Sequence, residues 1–503
     1  MTPSVGISGM AVYVPPYRVN LRDWAEWTGN SWEKISAVVG HSFRMRGPTE
    51  NVYTMAAAAV LRLIEQYEID PEKVRYLALG TESSTDNSAG AVVVKGLVNR
   101  ALVAQGKDPI TRYCEVPEYK HACLGGVYGI KNAARFLALE HSDSVAIVVS
   151  SDVAEYSRGS SGEPTQGAGA VAVLLEKDPR LLELQLQFAG SASDYREVDF
   201  RKPLARIVGE RQRIHGQIRD FPVFNGKFST SCYLDASLHA VRDMLNRRTR
   251  YAAGYLRQLR AAFFHRPYRR MPENALLLIY LLNLANGSRA DREEFARIAE
   301  STGIDPAEAG RELRETPDLE SLVRERKLSA EIYPAAMPVV KAFRKSEAGQ
   351  EMLERCFGLG AEKMMDIGNL YTAALPAWVA AGMEDALERS VDLDEAEILL
   401  MGYGSGDAAE AIPARVALEW RVAAKKIGFS KALEGGIDLT QAQYADLHDH
   451  GEAEGLKSSP RQLFELERIG GQRDGDFADF GVEYYRLAEA LRGDAQAPIR
   501  QSG

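Results

Sequence analysis

Cysteine is scarce: Cys114, Cys123, Cys232 and Cys356 are the only four in 503 residues. So few cannot staple a chain of this length, and none stands in a CxxC pair that would hold zinc. The thiols are therefore expected to be free, in a reducing compartment. Basic charge is also short. The 61 Lys and Arg stand against 70 Asp and Glu, a net −9, which argues against broad nucleic-acid binding. Long hydrophobic runs are missing too. The most apolar stretch, 275–285, is about half the roughly 20 residues of a membrane span and sits in amphipathic surroundings. The amino terminus, MTPSVGISGMAVYVPPY, has no basic segment leading into an apolar one, so no signal peptide is expected. These absences predict a cytoplasmic protein with no membrane and no nucleic-acid partner.

What is present is ordinary globular material, 45% hydrophobic and 26% charged, enough for two or three domains. Strand-like and helix-like segments alternate. Residues 5–14, 76–80, 144–150 (SVAIVVS) and 169–175 (GAVAVLL) read as strands, and 54–66 and 125–139 as helices with small residues on one face. A second set follows: strand 261–264, helix 275–286, helix 370–381, and strand 398–404 running into YGSGD. Short apolar strands alternating with helices predict an α/β fold with a covered sheet. LALGTES and AAFFHRP are each a strand ending in an ionisable residue. VAIVVSSD and EILLMGYGSGD are each a strand running into a small-residue loop. A duplicated unit would bring all four loop ends to one face, where open α/β sheets bind ligands. The division expected is 1–195 and 196–503, with a helical insertion at about 288–349. Between the halves, 200–260 is rich in arginine. From 446 the chain is polar and acidic, and its tail, AQAPIRQSG, is expected to be disordered.

Three residues at strand or helix ends could do chemistry. Cys123, in KHACLGGVYGI, precedes a helix whose dipole would lower its pKa and raise the thiolate fraction. It reads either as a nucleophile or as a buried structural cysteine, and Cys114, Cys232 and Cys356 are assigned the second role. Glu82 follows LALG and could be a general acid/base or a solvated loop carboxylate. His265 ends AAFF and could be catalytic or a satisfied strand-end histidine. GEPTQGAGA (162–170) has the glycines of a close-approach loop but no phosphate-loop pattern. YGSG (403–406) could offer N–H groups to an oxyanion or be a simple turn. His448-Asp449-His450 lacks a third ligand at metal spacing and reads as a solvated loop, so no metal is expected. The arginines Arg201, Arg206, Arg211, Arg213, Arg219, Arg247, Arg248, Arg250, Arg257 and Arg260 form either a solvated face or a patch for carrier phosphates.

KHACLGG, SSDVAEY and GEPTQGAGAVAVLL, with GTESSTD, DFRKP, FPVFNGKFSTSCYL, FFHRPY, IGNLYT and YGSG in that order, resemble the hydroxymethylglutaryl-CoA (HMG-CoA) synthase family. The resemblance runs from the first strand to about Lys431. It implies a five-layered αβαβα thiolase fold of two related halves, a homodimer, and no cofactor beyond coenzyme A thioesters as substrates. Cys123 would be acetylated by acetyl-CoA, and Glu82 would help generate and use the carbon nucleophile at the acetyl methyl group. His265 and Asn369 would hold and polarise the ketone of acetoacetyl-CoA. The backbone N–H groups at Cys123 and Ser405 would form the oxyanion hole, with Tyr156, Asp199 and Gly167 beside the site.

Three departures stand out. Arg270 replaces a usual lysine associated with the CoA moiety, close to Arg269. Arg266 replaces a small residue, and the insertion has no counterpart of its length in the family. The leading expectation is an HMG-CoA synthase of isoprenoid (mevalonate) synthesis. The alternative is a synthase of the polyketide β-branching type, acting on acyl carrier protein-bound substrates. Arg266, Arg269, Arg270 and the arginines of 201–219 would suit it by forming a basic docking patch. A thiolase would expect a second cysteine where Ser405 stands, and a ketoacyl synthase would lack Glu82. An inactive scaffold would not retain all four site residues.

Overall fold

The computed structural model describes residues 4–140, 143–202, 213–214, 217–218, 221–248, 252–456, 459 and 461–491. Ten strands make one sheet: β1 (Val5–Tyr13), β2 (Val74–Gly80), β3 (Glu118–Tyr119), β4 (Val145–Ala154), β5 (Gly167–Lys177), β6 (Leu182–Leu184), β7 (Gly190–Ser193), β8 (Ala261–Phe264), β9 (Glu397–Gly404) and β10 (Ala408–Val416). Their order is β8-β9-β10-β6-β1-β5-β4-β2-β3, with β7 also paired to β10. The duplication expected from the strand ends is visible in the pairing. β2 lies parallel to β4, which pairs antiparallel with β5. In the other half β8 lies parallel to β9, which pairs antiparallel with β10. The short β6 is the seam, antiparallel to β1 on one side and to β10 on the other. The strands are apolar along nearly their whole length because helices cover both faces.

Helices α1 (Val52–Tyr67) and α2 (Gly90–Ala104) lie on the outside of the first half, α1 packing its alanine-rich face on β1, β4 and β5. Asn51 starts α1 in a reciprocal capping box with Thr54, which satisfies two otherwise orphaned amides. On the inner side α3 (Gly125–Leu139) packs on β2, β4 and β5. Gly126 makes that approach possible: a Cβ there would stand 2.0 Å from Ser150 Oγ and 3.1 Å from the Thr372 carbonyl. On the far side, α4 (Gly226–Arg247) covers β7, β9 and β10, and α5 (Arg270–Ala285) packs on α4.

The expected insertion is helical. It holds α6 (Arg289–Glu300), α7 (Pro306–Arg314), α8 (Leu319–Arg324) and α9 (Ala336–Lys345), and α10 (Glu347–Phe357) begins at its end and runs beyond it. Ser288 opens α6 with a capping box to Asp291, and the Ser346 side chain caps α10. The central helix α11 (Ala374–Glu388) packs on β1, β8 and β9 and completes the five-layered thiolase-like arrangement. None of the described helices is long and apolar enough to cross a membrane.

Two expectations need correction. The arginine-rich interval contains α4, whose apolar face (Phe228, Cys232, Ala236, Ala240, Met244) recurs every four residues among serines and charges. Of its described arginines, Arg247, Arg257 and Arg260 are exposed, as a solvated face would have them, whereas Arg248 is a buried tie. Arg248 is buried between Gln185 (2.8 Å) and Glu397 (3.1 Å), and Arg257 pairs with Asp291 (2.7 Å) and Glu294 (2.8 Å). Arg206, Arg211, Arg219 and Arg250 lie outside the described residues, as does the tail, and Arg213 is described only as backbone. His448 is not solvated. It is buried at the end of helix α12 (Gln441–His450), stacked on Phe221, with Nε2 donating to the Tyr156 carbonyl at 2.9 Å.

Trp378 in α11 touches Phe263 of β8 and Phe357 of α10, and its Nε1 donates to the Leu359 carbonyl at 2.9 Å. Trp378→Ala leaves a large cavity in this junction and should destabilise the protein by about 3–5 kcal/mol. Chemical denaturation would register this as a lower midpoint, and an unchanged midpoint would show that the junction is not part of the core.

Candidate active site

After β2 the chain turns through Thr81, Glu82 and Ser83, and a carboxylate from the neighbouring strand holds the turn. Asp152, in β4, is fully buried. Its Oδ1 accepts from Thr81 Oγ1 (2.9 Å), Glu82 N (2.8 Å), Ser83 N (3.1 Å) and Ser83 Oγ (2.6 Å). Its Oδ2 accepts from Thr372 N (2.9 Å) and Thr372 Oγ1 (2.5 Å). One side chain thus joins the Glu82 turn of the first half to the 369–372 turn of the second. Asp152 was missed in the sequence, where its one signal is an acid closing the apolar run VAIVVSS.

The Cys123 thiol is buried beside the Glu82 carboxyl. Burial and the adjacent Glu82 push the thiol well above its ordinary value. This corrects the expectation of a helix-lowered pKa. Cys123 does precede the α3 amino terminus, but desolvation and a neighbouring carboxylate outweigh the dipole. Burial likewise raises Glu82, opposed by Lys202, whose ammonium stands 3.2 Å from Oε1. Lys202 also lies 4.7 Å from the centre of the Tyr371 ring. Neither Lys202 nor Tyr371 was singled out beforehand, although both fall in motifs that carry the resemblance.

Tyr156 and Tyr371 pack with Cys123, and the Tyr156 hydroxyl neighbours Tyr371 and the Asn369 side chain. Asn369 Oδ1 accepts from Tyr371 N (2.9 Å), and Asn369 N donates to the Thr165 carbonyl (3.0 Å). Gly167 lies against this turn, where a Cβ would stand 2.5 Å from the Asn369 carbonyl. Its observed contact is therefore with the turn that carries Asn369. Tyr371 (φ +48°) and Ala122 (φ +40°) flank the cluster in a left-handed conformation that non-glycine residues seldom adopt.

Asp199 and the YGSG turn form an adjoining group. Asp199 Oδ2 accepts from Tyr403 OH (3.1 Å) and Gly406 N (2.9 Å). Ser405 sits in this turn, and Gly404 lies so close to the cysteine loop that a Cβ would stand 2.5 Å from the His121 carbonyl. His265 follows β8, with its amide on Met401 O (2.7 Å) and its carbonyl accepting from Tyr233 OH (3.0 Å). The Tyr233 ring in turn packs on Tyr403. No hydrogen bond among the described residues joins His265 to Cys123 or Glu82. Its Nδ1 is buried without a partner, and burial lowers its pKa to about 3, so it is neutral at pH 7.

The three arginines expected to form a docking patch part company. Arg266 is buried, stacked on Trp378, with Nη2 2.9 Å from Met365 Sδ, so it cannot face a carrier protein. Arg269 and Arg270 are half exposed at the start of α5, and both pair with Glu273 (3.4 and 3.0 Å).

The family model described as the amino-terminal part of hydroxymethylglutaryl-coenzyme A synthase matches residues 2–179. The hydroxymethylglutaryl-CoA synthase of Enterococcus faecalis is 31% identical over 301 residues, covering 59% of this chain and 69% of that protein. The chain belongs to the HMG-CoA synthase family. The Haloferax volcanii synthase is 26% identical over 457 residues, 89% of this chain and 91% of that one. A solved structure of MvaS in complex with 3-hydroxy-3-methylglutaryl coenzyme A aligns with a TM-score of 0.73 and 26% identity, over 97% of this chain and 100% of that one. The curacin-pathway HMG synthase aligns at 0.67 over 96% of this chain and 100% of that one, but at 17% identity it shows a shared fold alone.

Two outcomes follow from this geometry. Asp152→Asn would turn an amide N–H₂ towards donors and unpin both turns, costing several kcal/mol. Turnover should fall at least about 100-fold, as read by steady-state assay of folded variant, and near-wild-type turnover would show that the turns hold without the carboxylate. For His265, the folded value lies below the unfolded value of about 6.5, so the unfolded chain binds the proton first. Its contribution therefore lowers stability as pH falls from about 6.5 towards about 3. Unfolding free energies of His265→Asn against pH should lose up to one proton's slope, about 1.4 kcal/mol per pH unit, relative to the parent. An identical slope in both proteins would show that His265 is not buried neutral.

Proposed function

We propose that this chain condenses acetyl-CoA with acetoacetyl-CoA and water to give HMG-CoA and CoA, through an acetyl-Cys123 intermediate. The observation that carries the reading is the buried Cys123 beside Glu82, packed with Tyr156 and Tyr371, with the Asn369 side chain next to Tyr156. Cys123 Sγ attacks the acetyl thioester while the neighbouring Glu82 takes the thiol proton, and CoA departs with a proton. Glu82 then removes a proton from the acetyl methyl group. The resulting carbon nucleophile attacks the acetoacetyl ketone, which takes up a proton as it becomes a hydroxyl. A carboxyl raised by burial and restrained by Lys202 suits both directions of that transfer.

A neutral His265 and Asn369 polarise the ketone, and the amides at Cys123 and Ser405 receive the thioester oxygen as its charge grows. Water finally cleaves the Cys123 thioester. Tyr156 and Asp199 shape the site, the latter by holding the YGSG turn. The coenzyme A thioesters are the only carriers the scheme requires, and Arg269 and Arg270 are the candidates for their phosphates. Family membership supports placing the enzyme in the cytoplasm as a homodimer serving isoprenoid synthesis. The carrier-protein alternative loses Arg266 as a docking residue, since that side chain is buried.

The test follows the Cys123 peptide by mass after incubation with acetyl-CoA, then measures free CoA and HMG-CoA once acetoacetyl-CoA is added. The parent should acetylate and turn over. Glu82→Gln should acetylate more slowly and condense about 100- to 10,000-fold more slowly. No acetylation from acetyl-CoA, with acetylation from a loaded carrier protein, would replace this reading with the β-branching one.

A further inference from the structure

Behind the YGSG turn lies a second buried group, which meets the condensation site only through Asp199 and its hold on that turn. Asp199, Cys232 and Asp407 each direct a ligand atom into one space, and these atoms all lie within 4.8 Å of one another. All three residues are buried, Asp199 and Cys232 fully and Asp407 at 2% exposure. Asp199 Oδ1 and both carboxyl oxygens of Asp407 have no hydrogen-bond partner. The nearby charges do not account for them. Arg196 binds Asp235 at 2.7 Å and Asp194 at 2.9 Å, and its Nε is 3.6 Å from Asp407 Oδ2. One guanidinium therefore serves three carboxylates, closely paired with the exposed Asp194 and the buried Asp235 and farther from the buried Asp407. Burial first, and the adjacent Asp199 among other acids, hold Asp407 up at about 7 against the pull of Arg196.

We propose that Asp199, Cys232 and Asp407 form a binding site for a divalent cation of borderline softness, of the zinc type. A sulfur between two carboxylates selects such an ion over magnesium or calcium, which take oxygen alone. Tetrahedral bonds of about 2.0–2.3 Å set ligand atoms about 3.3–3.7 Å apart, so side chains now within 4.8 Å would close by up to about 1.5 Å, with water completing the tetrahedron. Cys232 binds as the thiolate, its proton passing to solvent. The second shell is already built: Tyr403 OH and Gly406 N hold Asp199 Oδ2, leaving Oδ1 free for the ion. The inserted helix α8 covers the sulfur side, Leu319 and Val323 packing with Phe228 and Cys232. Tyr333, also in the insertion, reaches Asp235 at 3.5 Å. The ion would tie the Ser405 turn to α4 beneath the insertion. Positions 199, 232 and 407 are too far apart in the chain for any spacing rule to find them. The proposal does not depend on the condensation chemistry.

The experiment titrates full-length protein, stripped by chelator, with Co²⁺ and then Zn²⁺, in a Cys123→Ala background that removes the reactive thiol. One equivalent of Co²⁺ should produce a thiolate-to-cobalt charge-transfer band that Zn²⁺ abolishes, and Zn²⁺ should raise the melting temperature. Cys232→Ser should lose the band. Asp407→Asn should weaken binding at least about tenfold, each variant being checked for its fold by circular dichroism. No band in the parent, a band surviving Cys232→Ser, or equal affinity in Asp407→Asn would overturn the proposal.

Discussion

The site hangs on one buried carboxylate. Asp152 takes six hydrogen bonds from two turns that belong to different halves of the molecule. Burial raises this carboxyl, and the donors that fill its lone pairs oppose the desolvation. The same donors are the amides and hydroxyls that orient Glu82 on one side and the Asn369–Thr372 turn on the other. The catalytic pocket is therefore defined where the duplicated units meet, and neither half could build it alone.

Around this anchor the charges are held in check by burial. Thiol, carboxyl and imidazole are all pushed towards their neutral forms, with Lys202 as the counterweight to Glu82. Burial of these groups limits the charge left to desolvate when a thioester enters. It also keeps the local dielectric low, so hydrogen bonds to a developing oxyanion count for more than in water. The acid group behind the YGSG turn shows the opposite condition. There the carboxylates lack sufficient donors, and the inserted helices exclude the water that would otherwise screen them.

Much of the architecture was legible along the chain. The strands β2, β4, β5, β8 and β9 and the helices α1 and α3 are near-pure apolar runs or small-residue faces, so local pattern alone reveals them. The helix α4 was not legible, because its apolar stripe is diluted by serine, histidine and arginine that find partners only in the fold. The terminal hairpin Phe464–Ile469 with Glu483–Leu487 was hidden by its charged composition. Arg266 and His448 were misjudged for a related reason: charge and polarity suggest solvent until a tryptophan face or a carbonyl is placed beside them.

By itself, the amino-acid order determined the repeated α/β plan and the family. It also singled out the glutamate, cysteine, histidine and asparagine, since each stands at the end of an element or in a motif defined by neighbours in the chain. Only the tertiary structure decided what those residues experience. The thiol is raised rather than lowered, Asp152 is the joint, and three ligand-type side chains some 33 and 175 positions apart share one dry space. Sequence spacing reports short-range geometry, whereas desolvation and convergence across two halves exist only after the chain has closed on itself.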